Sequence, residues 1–374
     1  MRLLYRASPW RTLFTGDFPS ALDGWPPVLA PLRDALNALG PSPSLAEAHH
    51  WQASLVDALD RLDLPAWRIS QIISDHNDWL YRRSVELSLN EMQGQSWGPP
   101  PVAFCVLTLG SVARHESLLG PDQDNAMIIA DYPDERHTEI DGYFQALGER
   151  FTQRLDAAGI PLCQGHVMAR FPMWRKRLSE WGEQLALWTA DRRVKRVQQA
   201  NILLDFHPVY GEPALSEALS DRVARRLPHA YLFLDEMAEL LHETPVALDR
   251  FGRLASGGEG APHERAIDLK HRGVLPLVNA VRLLSLRHAV TPPDTRSRLT
   301  ALVMSDVLDT EHARALTMAL ARLQGLLLGE QRMALAEGRT PDGWVNEARL
   351  AEDERWLLRH DLKQIQAVIR RARD

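Results

Sequence analysis

Residues 109–129 read LGSVARHESLLGPDQDNAMII, and this stretch decides the fold. It opens at the end of VAFCVLTLG (102–110), a short apolar run that reads as a buried strand, and closes on a second such run, NAMIIAD (125–131). Between them stand Gly110 and Ser111, a polar loop, and then Asp122 and Asp124 at the start of the second strand. Alternation along a strand puts residues 122 and 124 on one face. Two carboxylates there offer the hard oxygen ligands that Mg2+ takes, with room left for water and phosphate oxygens. Gly110 lets backbone approach a phosphate, Ser111 adds a hydroxyl and an amide, and Arg114 can neutralise charge on a triphosphate. An acidic-x-acidic pair alone says little, since 49 acidic residues in 374 should produce about six by chance. A calcium EF-loop fails because Met127 stands where its glycine belongs and Pro133 where its glutamate belongs; a P-loop fails because no Gly-Lys-Ser/Thr follows. The information lies in the composite of strand, Gly-Ser, spacer, Asp-x-Asp and strand.

Upstream, a Pro- and Trp-rich segment carries one short helical pattern, LRDALNAL (32–39). Ile69, Ile73, Leu80 and Leu87 then share one face of a helix that the stretch 94–101 ends. Downstream, Ile140, Phe144, Leu147, Phe151 and Leu155 mark a helix over 137–158, GIPLCQGHVMA (159–169) looks extended, and NILLDFHPV (201–209) reads as another strand. Between those two, Trp174, Leu178, Trp181, Leu185 and Trp188 fall at helical spacing, either as a ligand-stacking stripe or as a plain packing face. The basic run Arg170, Arg175, Lys176, Arg177, Arg192, Arg193, Lys195 and Arg196 is either a patch for an acidic partner or the solvated side of that helix. Beyond about residue 225 the pattern is helical, with helices at 274–289, roughly 311–337 and 350–372 and one glycine-rich loop at 256–264. The expected organisation is an N-terminal segment (1–44), a helical preface (45–99), an α/β domain (100–225) and a C-terminal helical domain (226–374).

Composition excludes several classes. With 45% hydrophobic and 25% charged residues, the chain is neither disordered nor fibrous. Its formal net charge of −6 argues against life on duplex DNA. Cys105 and Cys163 are too few for a disulfide framework, and Cys163 with His166 lacks the second pair that structural zinc needs. The N-terminus has no apolar region of secretory length, and the charge-free stretch 92–113 is broken by Pro99, Pro100 and Pro101. The expected setting is the cytoplasm, with no membrane partner.

The composite resembles the nucleotidyltransferase superfamily of DNA polymerase β, whose motif is a hydrophobic residue, Gly-Gly/Ser, a spacer and Asp-hydrophobic-Asp/Glu. Within it, the chain resembles a bacterial nucleotidyltransferase family related to protein-PII uridylyltransferase. The matching segments are 109–128, 159–169, LLDFHPVYGEPAL (203–215) and IDLKHRGVLPLVNAVRLLSL (267–286), and the likeness covers about residues 50–370. It implies an α+β fold: a small mixed-sheet nucleotidyltransferase core flanked by N-terminal helices and a C-terminal helical bundle. It also implies a third carboxylate on a later strand, for which Asp205 in NILLDFHPV is the candidate; the other reading of Asp205 is a salt-bridged acid at a strand end.

In the family's chemistry Asp122, Asp124 and Asp205 would be catalytic, holding Mg2+ or Mn2+. Gly110, Ser111, Arg114 and Lys270 would contact the NTP, although Lys270, with Asp268, also reads as a surface helix start. The implied reaction moves an NMP from an NTP to a hydroxyl acceptor, of the uridylyl- or adenylyltransferase type, with a side chain of a signalling protein as one candidate acceptor, and releases pyrophosphate. Ala113 stands where the family has Gly, and His207 near where it has Arg. These departures favour the alternative of a non-catalytic nucleotide-binding scaffold. The family's CBS and cyclic-nucleotide-binding sensors are not expected, since about 50 residues cannot hold them. The His360-Asp361 dipeptide has no companion metal pattern, so the reverse activity of the larger uridylyltransferases is not expected.

Overall fold

The computed structural model describes residues 26–40, 43–190, 194–243 and 245–373. The chain forms two compact units: Met1–Glu183 with Asp205–Ser220, and Gln184–Leu204 with Asp221–Asp374.

The first unit begins with helices α1 (Ala30–Leu39), α2 (Leu45–Arg61) and α3 (Ala66–Gly94). Ser44 and Glu47 form a reciprocal capping box that starts α2. Ile69, Ile73 and Leu80 are buried along α3, as their spacing predicts. Strand β1 (Phe104–Leu109) follows, buried at every position, then the four-residue helix α4 (Gly110–Ala113) and strand β2 (Asn125–Ile129), also wholly buried. Helix α5 (His137–Ala157) packs across α3, and Phe144, Leu147, Phe151 and Leu155 join Leu80 and Val85 in one core.

The next segment corrects the expected long tryptophan helix. Trp174 ends a 3-10 turn (Pro172–Trp174), Arg175–Arg177 form strand β3, and helix α6 (Leu178–Trp188) starts only after that. β3 pairs parallel with β2, Met127 opposite Arg175. Trp174, Trp181 and Trp188 are buried, and Trp181 Nε1 donates to the Met127 carbonyl at 3.1 Å, so the stripe is packing and not a stacking surface. Nor do the described basic residues form an open patch. Arg175 is buried against Asp141 (3.0 Å), and Arg177 is held by Asp134 and Glu180. Arg192, Arg193 and the side chains of Lys195 and Arg196 lie outside the described residues.

NILLDFHPV is also split. Helix α7 (Val194–Leu203) runs to Leu203, strand β4 (Phe206–Gly211) starts at Phe206, and Asp205 sits in the bend between them. Val197, Ala200, Leu203 and Leu204 are buried at helical spacing, so the apolar half of the run completes a helix face instead of a strand. The sheet order is β3-β2-β1-β4, with β1 antiparallel to both neighbours.

The second unit is helical: α8 (Pro213–Arg226, begun in the first unit), α9 (Tyr231–Glu243), α10 (Leu275–Arg287), α11 (Thr295–Met304), α12 (Thr310–Ala336) and α13 (Glu352–Arg373). A two-stranded antiparallel ribbon, β5 (Ala266–Asp268) with β6 (Trp344–Asn346), interrupts it. In the His-Asp dipeptide, His360 is exposed and buried Asp361 accepts from Arg322 Nε at 2.6 Å. The architecture is α+β, mostly helical with a small mixed sheet. No helix among the described residues is long and apolar enough to cross a membrane.

Candidate active site

Two acidic residues border the carboxyl end of β1 through their backbone. The Leu109 amide donates to the Asp124 carbonyl, and the Gly110 amide donates to the Asp205 carbonyl, both at 3.0 Å. Asp124 and Asp205 therefore flank the end of β1 from its two sides. Gly110 has a φ of +61°, where an L residue costs about 1–2 kcal/mol. A Cβ on it would stand 3.6 Å from Asp124 Oδ2, so bare backbone forms the wall beside that carboxylate.

Gln123 sets the direction of its neighbours. It is buried, and its Nε2 donates to the carbonyls of Thr152 (2.9 Å) and Ile160 (2.8 Å). Asp122 is exposed and Asp124 half-buried, which is the alternation expected when both carboxylates emerge opposite Gln123. The amides of Gln123 and Asn125 donate to the carbonyls of Pro161 and Val167, each at 3.0 Å. The stretch 159–169 thus lies alongside without becoming a strand, because it leaves the pairing in a turn. His166, at a φ of +59°, donates its amide to the Cys163 carbonyl there.

That turn delivers Cys163, which the sequence reading weighed only beside His166 and not beside the two acids. Cys163 Sγ and one oxygen each from Asp122 and Asp124 lie within 4.8 Å of one another. Burial, with Asp124 adding to it, pushes the Cys163 thiol up to about 11. At neutral pH the sulfur is a thiol, and the anionic donors are the two carboxylates, a hard set that suits Mg2+ or Mn2+. Tyr81 of α3 lies behind them: burial raises its phenol pKa, and Asp124 and Asp122 add to the rise. Cys163 falls within a segment that carries the family likeness, but nothing in its spacing marks it as a partner of residues 40 positions earlier.

Asp205 is fully buried, and its Oδ2 takes Arg114 NH1 at 2.6 Å. Arg114 Nε reaches Glu116 at 2.7 Å. Burial works against the guanidinium, but the two carboxylates hold its pKa above the ordinary value. The structure thus shows Asp205 as an ion-paired acid at the start of a strand, outside the close group of Asp122, Asp124 and Cys163. Ser111 is half-buried and Ala113 fully buried in α4. Lys270 belongs to the second unit, exposed at the start of a π-helix (Lys270–Val274). Asp268 caps that turn, accepting from the His271 amide at 3.1 Å.

With this geometry in view, the comparison with known families is direct. A family described as "Putative nucleotidyltransferase DUF294" matches residues 51–195, and its companion, "Putative nucleotidyltransferase substrate binding domain", matches residues 231–374. The chain belongs to the DUF294 nucleotidyltransferase family. Membership supports a role in nucleotidyl transfer in general terms. The first DUF294 match contains Gly110, Ser111, Arg114, Asp122, Asp124 and Cys163, and the second contains Lys270; Asp205 and His207 fall between the two. No curated protein matches the chain.

Proposed function

We propose that this chain moves an NMP from an NTP to a hydroxyl acceptor in the cytoplasm, with Asp122 and Asp124 holding the divalent metal on which the reaction depends. The observation that carries the reading is the pair of acids facing one way beside the side-chain-free wall of Gly110, with Gln123 anchored inward. Mg2+ or Mn2+ bound there would supply positive charge to a triphosphate and lower the pKa of an acceptor hydroxyl.

The chain's own residues do the positioning. Gly110 lets a phosphate come close to Asp124, and Ser111 offers an amide and a hydroxyl to phosphate oxygens. Asp205 enters through Arg114: its carboxylate belongs to the guanidinium, and the pair ties the segment after α4 to the start of β4. To act as a third metal ligand, Asp205 would have to give up Arg114. The match of the substrate-binding family to the stretch that contains Lys270 supports the reading of that residue as a nucleotide contact. The acceptor oxygen attacks the α-phosphorus and pyrophosphate leaves. Likeness to the uridylyltransferase supports UTP or ATP as donor and a protein side chain as acceptor.

The test is incubation with each labelled NTP, Mg2+ and cell lysate. Label should move to an acceptor with the wild type and not with Asp122→Ala or Asp124→Ala, whose folds should be intact. Wild-type transfer by either variant would sink the reading. A second reading, nucleotide binding without transfer, draws on the burial of Arg114 between two acids, which leaves its charge committed within the fold. Calorimetric NTP binding without label transfer would favour it.

A further inference from the structure

A second group of potential ligands stands apart from Asp122, Asp124 and Cys163. Asp78 on α3, His115 just after α4 and His207 on β4 each bring a ligand atom within 4.8 Å of the other two. His207 Nε2 lies 3.8 Å from Asp78 Oδ2. Two ligands of a tetrahedral ion are separated by about 3.3 Å when each bond is about 2.0–2.1 Å, so small side-chain movements close the gap. The two imidazoles meet edge to face, centroids 5.0 Å apart at 78°, an arrangement in which the rings do not stack.

The surroundings resemble the outer shell of a metal site. Thr108 pairs with His207 across β1 and β4, and its hydroxyl donates to Asp78 Oδ1 at 3.5 Å. Asp75, one turn before Asp78, places Oδ1 3.2 Å from His115 Nδ1. Carboxylates and hydroxyls in such positions orient metal-binding His and Asp side chains. Asp78 is buried, and that burial raises its pKa to about 7, a cost that a neighbouring cation would offset. The side chains of His115 and His207 are 25% and 37% exposed, which leaves an entry path and space for water.

We infer that Asp78, His115 and His207 bind one divalent transition-metal ion of the zinc class, completed by solvent and separate from the Asp122–Asp124 centre. Two imidazoles and one carboxylate suit Zn2+ or Co2+ better than Mg2+, which prefers oxygen alone. His115 follows Arg114 directly and His207 stands two residues after Asp205. An ion there would fasten α3, the segment after α4 and β4 around the Arg114–Asp205 pair. This site does not depend on the proposed transfer reaction.

The test uses the full chain, stripped with a chelator and titrated with Zn2+ by calorimetry and with Co2+ by visible absorption. One equivalent should bind, with Co2+ bands of a four-coordinate nitrogen–oxygen site, and Zn2+ should raise the thermal midpoint. His115→Asn and His207→Asn should each weaken binding about 100-fold or more and remove the Zn2+-induced rise. The double variant D122N/D124N should retain the equivalent. Circular dichroism of each metal-free variant checks the fold, and His115→Ala and His207→Ala provide a second pair if an amide is poorly tolerated. Absence of stoichiometric binding would overturn the inference. So would full binding by folded His115 and His207 variants, or loss of the ion in D122N/D124N.

Discussion

Asp205→Ala separates two jobs that one buried acid could do. In the structure Asp205 neutralises Arg114, whose side chain is 5% exposed, with Glu116 on the other side of the guanidinium. Removing one partner of a buried ion pair costs about 3–5 kcal/mol, and the surviving Glu116 contact argues for the lower end, about 3 kcal/mol. In a unit of about 200 residues, each kcal/mol moves the midpoint by about 2–4 °C, so unfolding should come about 6–12 °C earlier. Asp122 is exposed, and Asp122→Ala should shift the midpoint by no more than about 2 °C. Replacing the whole group together, Arg114→Met with Asp205→Leu and Glu116→Gln, should recover most of the loss, because no charge is then left buried without its partner. Scanning calorimetry reads the three variants, and Mg2+-dependent nucleotide binding is measured on each below its transition. An Asp205→Ala variant that unfolds at the wild-type temperature yet fails to bind Mg2+-nucleotide would refute the reasoning and make Asp205 a ligand.

Other outcomes follow from single residues. Gly110→Ala should fold with a loss of about 1–2 kcal/mol from its left-handed φ, and lose nucleotidyl transfer because its methyl stands beside Asp124; transfer at the wild-type rate would refute this. Burial lowers His76 to about 3, so below its ordinary pKa of about 6.5 the unfolded chain takes up a proton that the folded chain refuses. Its contribution to stability is full above pH 6.5 and falls by about 2 kcal/mol between pH 7 and pH 5. Asp78 is raised and works in the opposite direction, so the measurement is the difference between wild type and His76→Gln in urea unfolding at the two pH values; a pH-independent difference would contradict it. Cys163, pushed up to about 11, should alkylate slowly at pH 7.5 and faster as pH rises, and a rapid reaction at neutral pH would show a thiolate.

The parts of the fold legible in sequence are those whose signal is local. β1 and β2 announce themselves by apolar runs, and the Gly-Ser to Asp-x-Asp composite puts Gly110, Ser111, Asp122 and Asp124 in the connection between them. β3 carries only Arg175, Lys176 and Arg177, and no propensity marks it as a strand; it exists because the edge of β2 accepts it. The run 201–209 hides a helix end and a strand start in one apolar string, and the boundary falls at the acid, Asp205. Cys163 joins Asp122 and Asp124 through a turn whose position depends on backbone bonds to Gln123 and Asn125. The ion pair of Arg114 with Asp205 has no signal in the sequence because the two lie 91 residues apart, a distance no local pattern spans.

The first unit also borrows its last strand from a late part of the chain: the polypeptide leaves at Glu183, makes Gln184–Leu204 elsewhere, and returns with Asp205–Ser220. During synthesis this imposes an order of events. A nascent chain that has emerged only to Glu183 has three strands of the sheet, an open edge on β1, and an Arg114 balanced by Glu116 alone. Closure waits for β4, which covers that edge in the same movement that brings Asp205 to the guanidinium. Until then the growing chain carries an adhesive strand beside a guanidinium with only one of its two carboxylate partners, the kind of intermediate that chaperones hold.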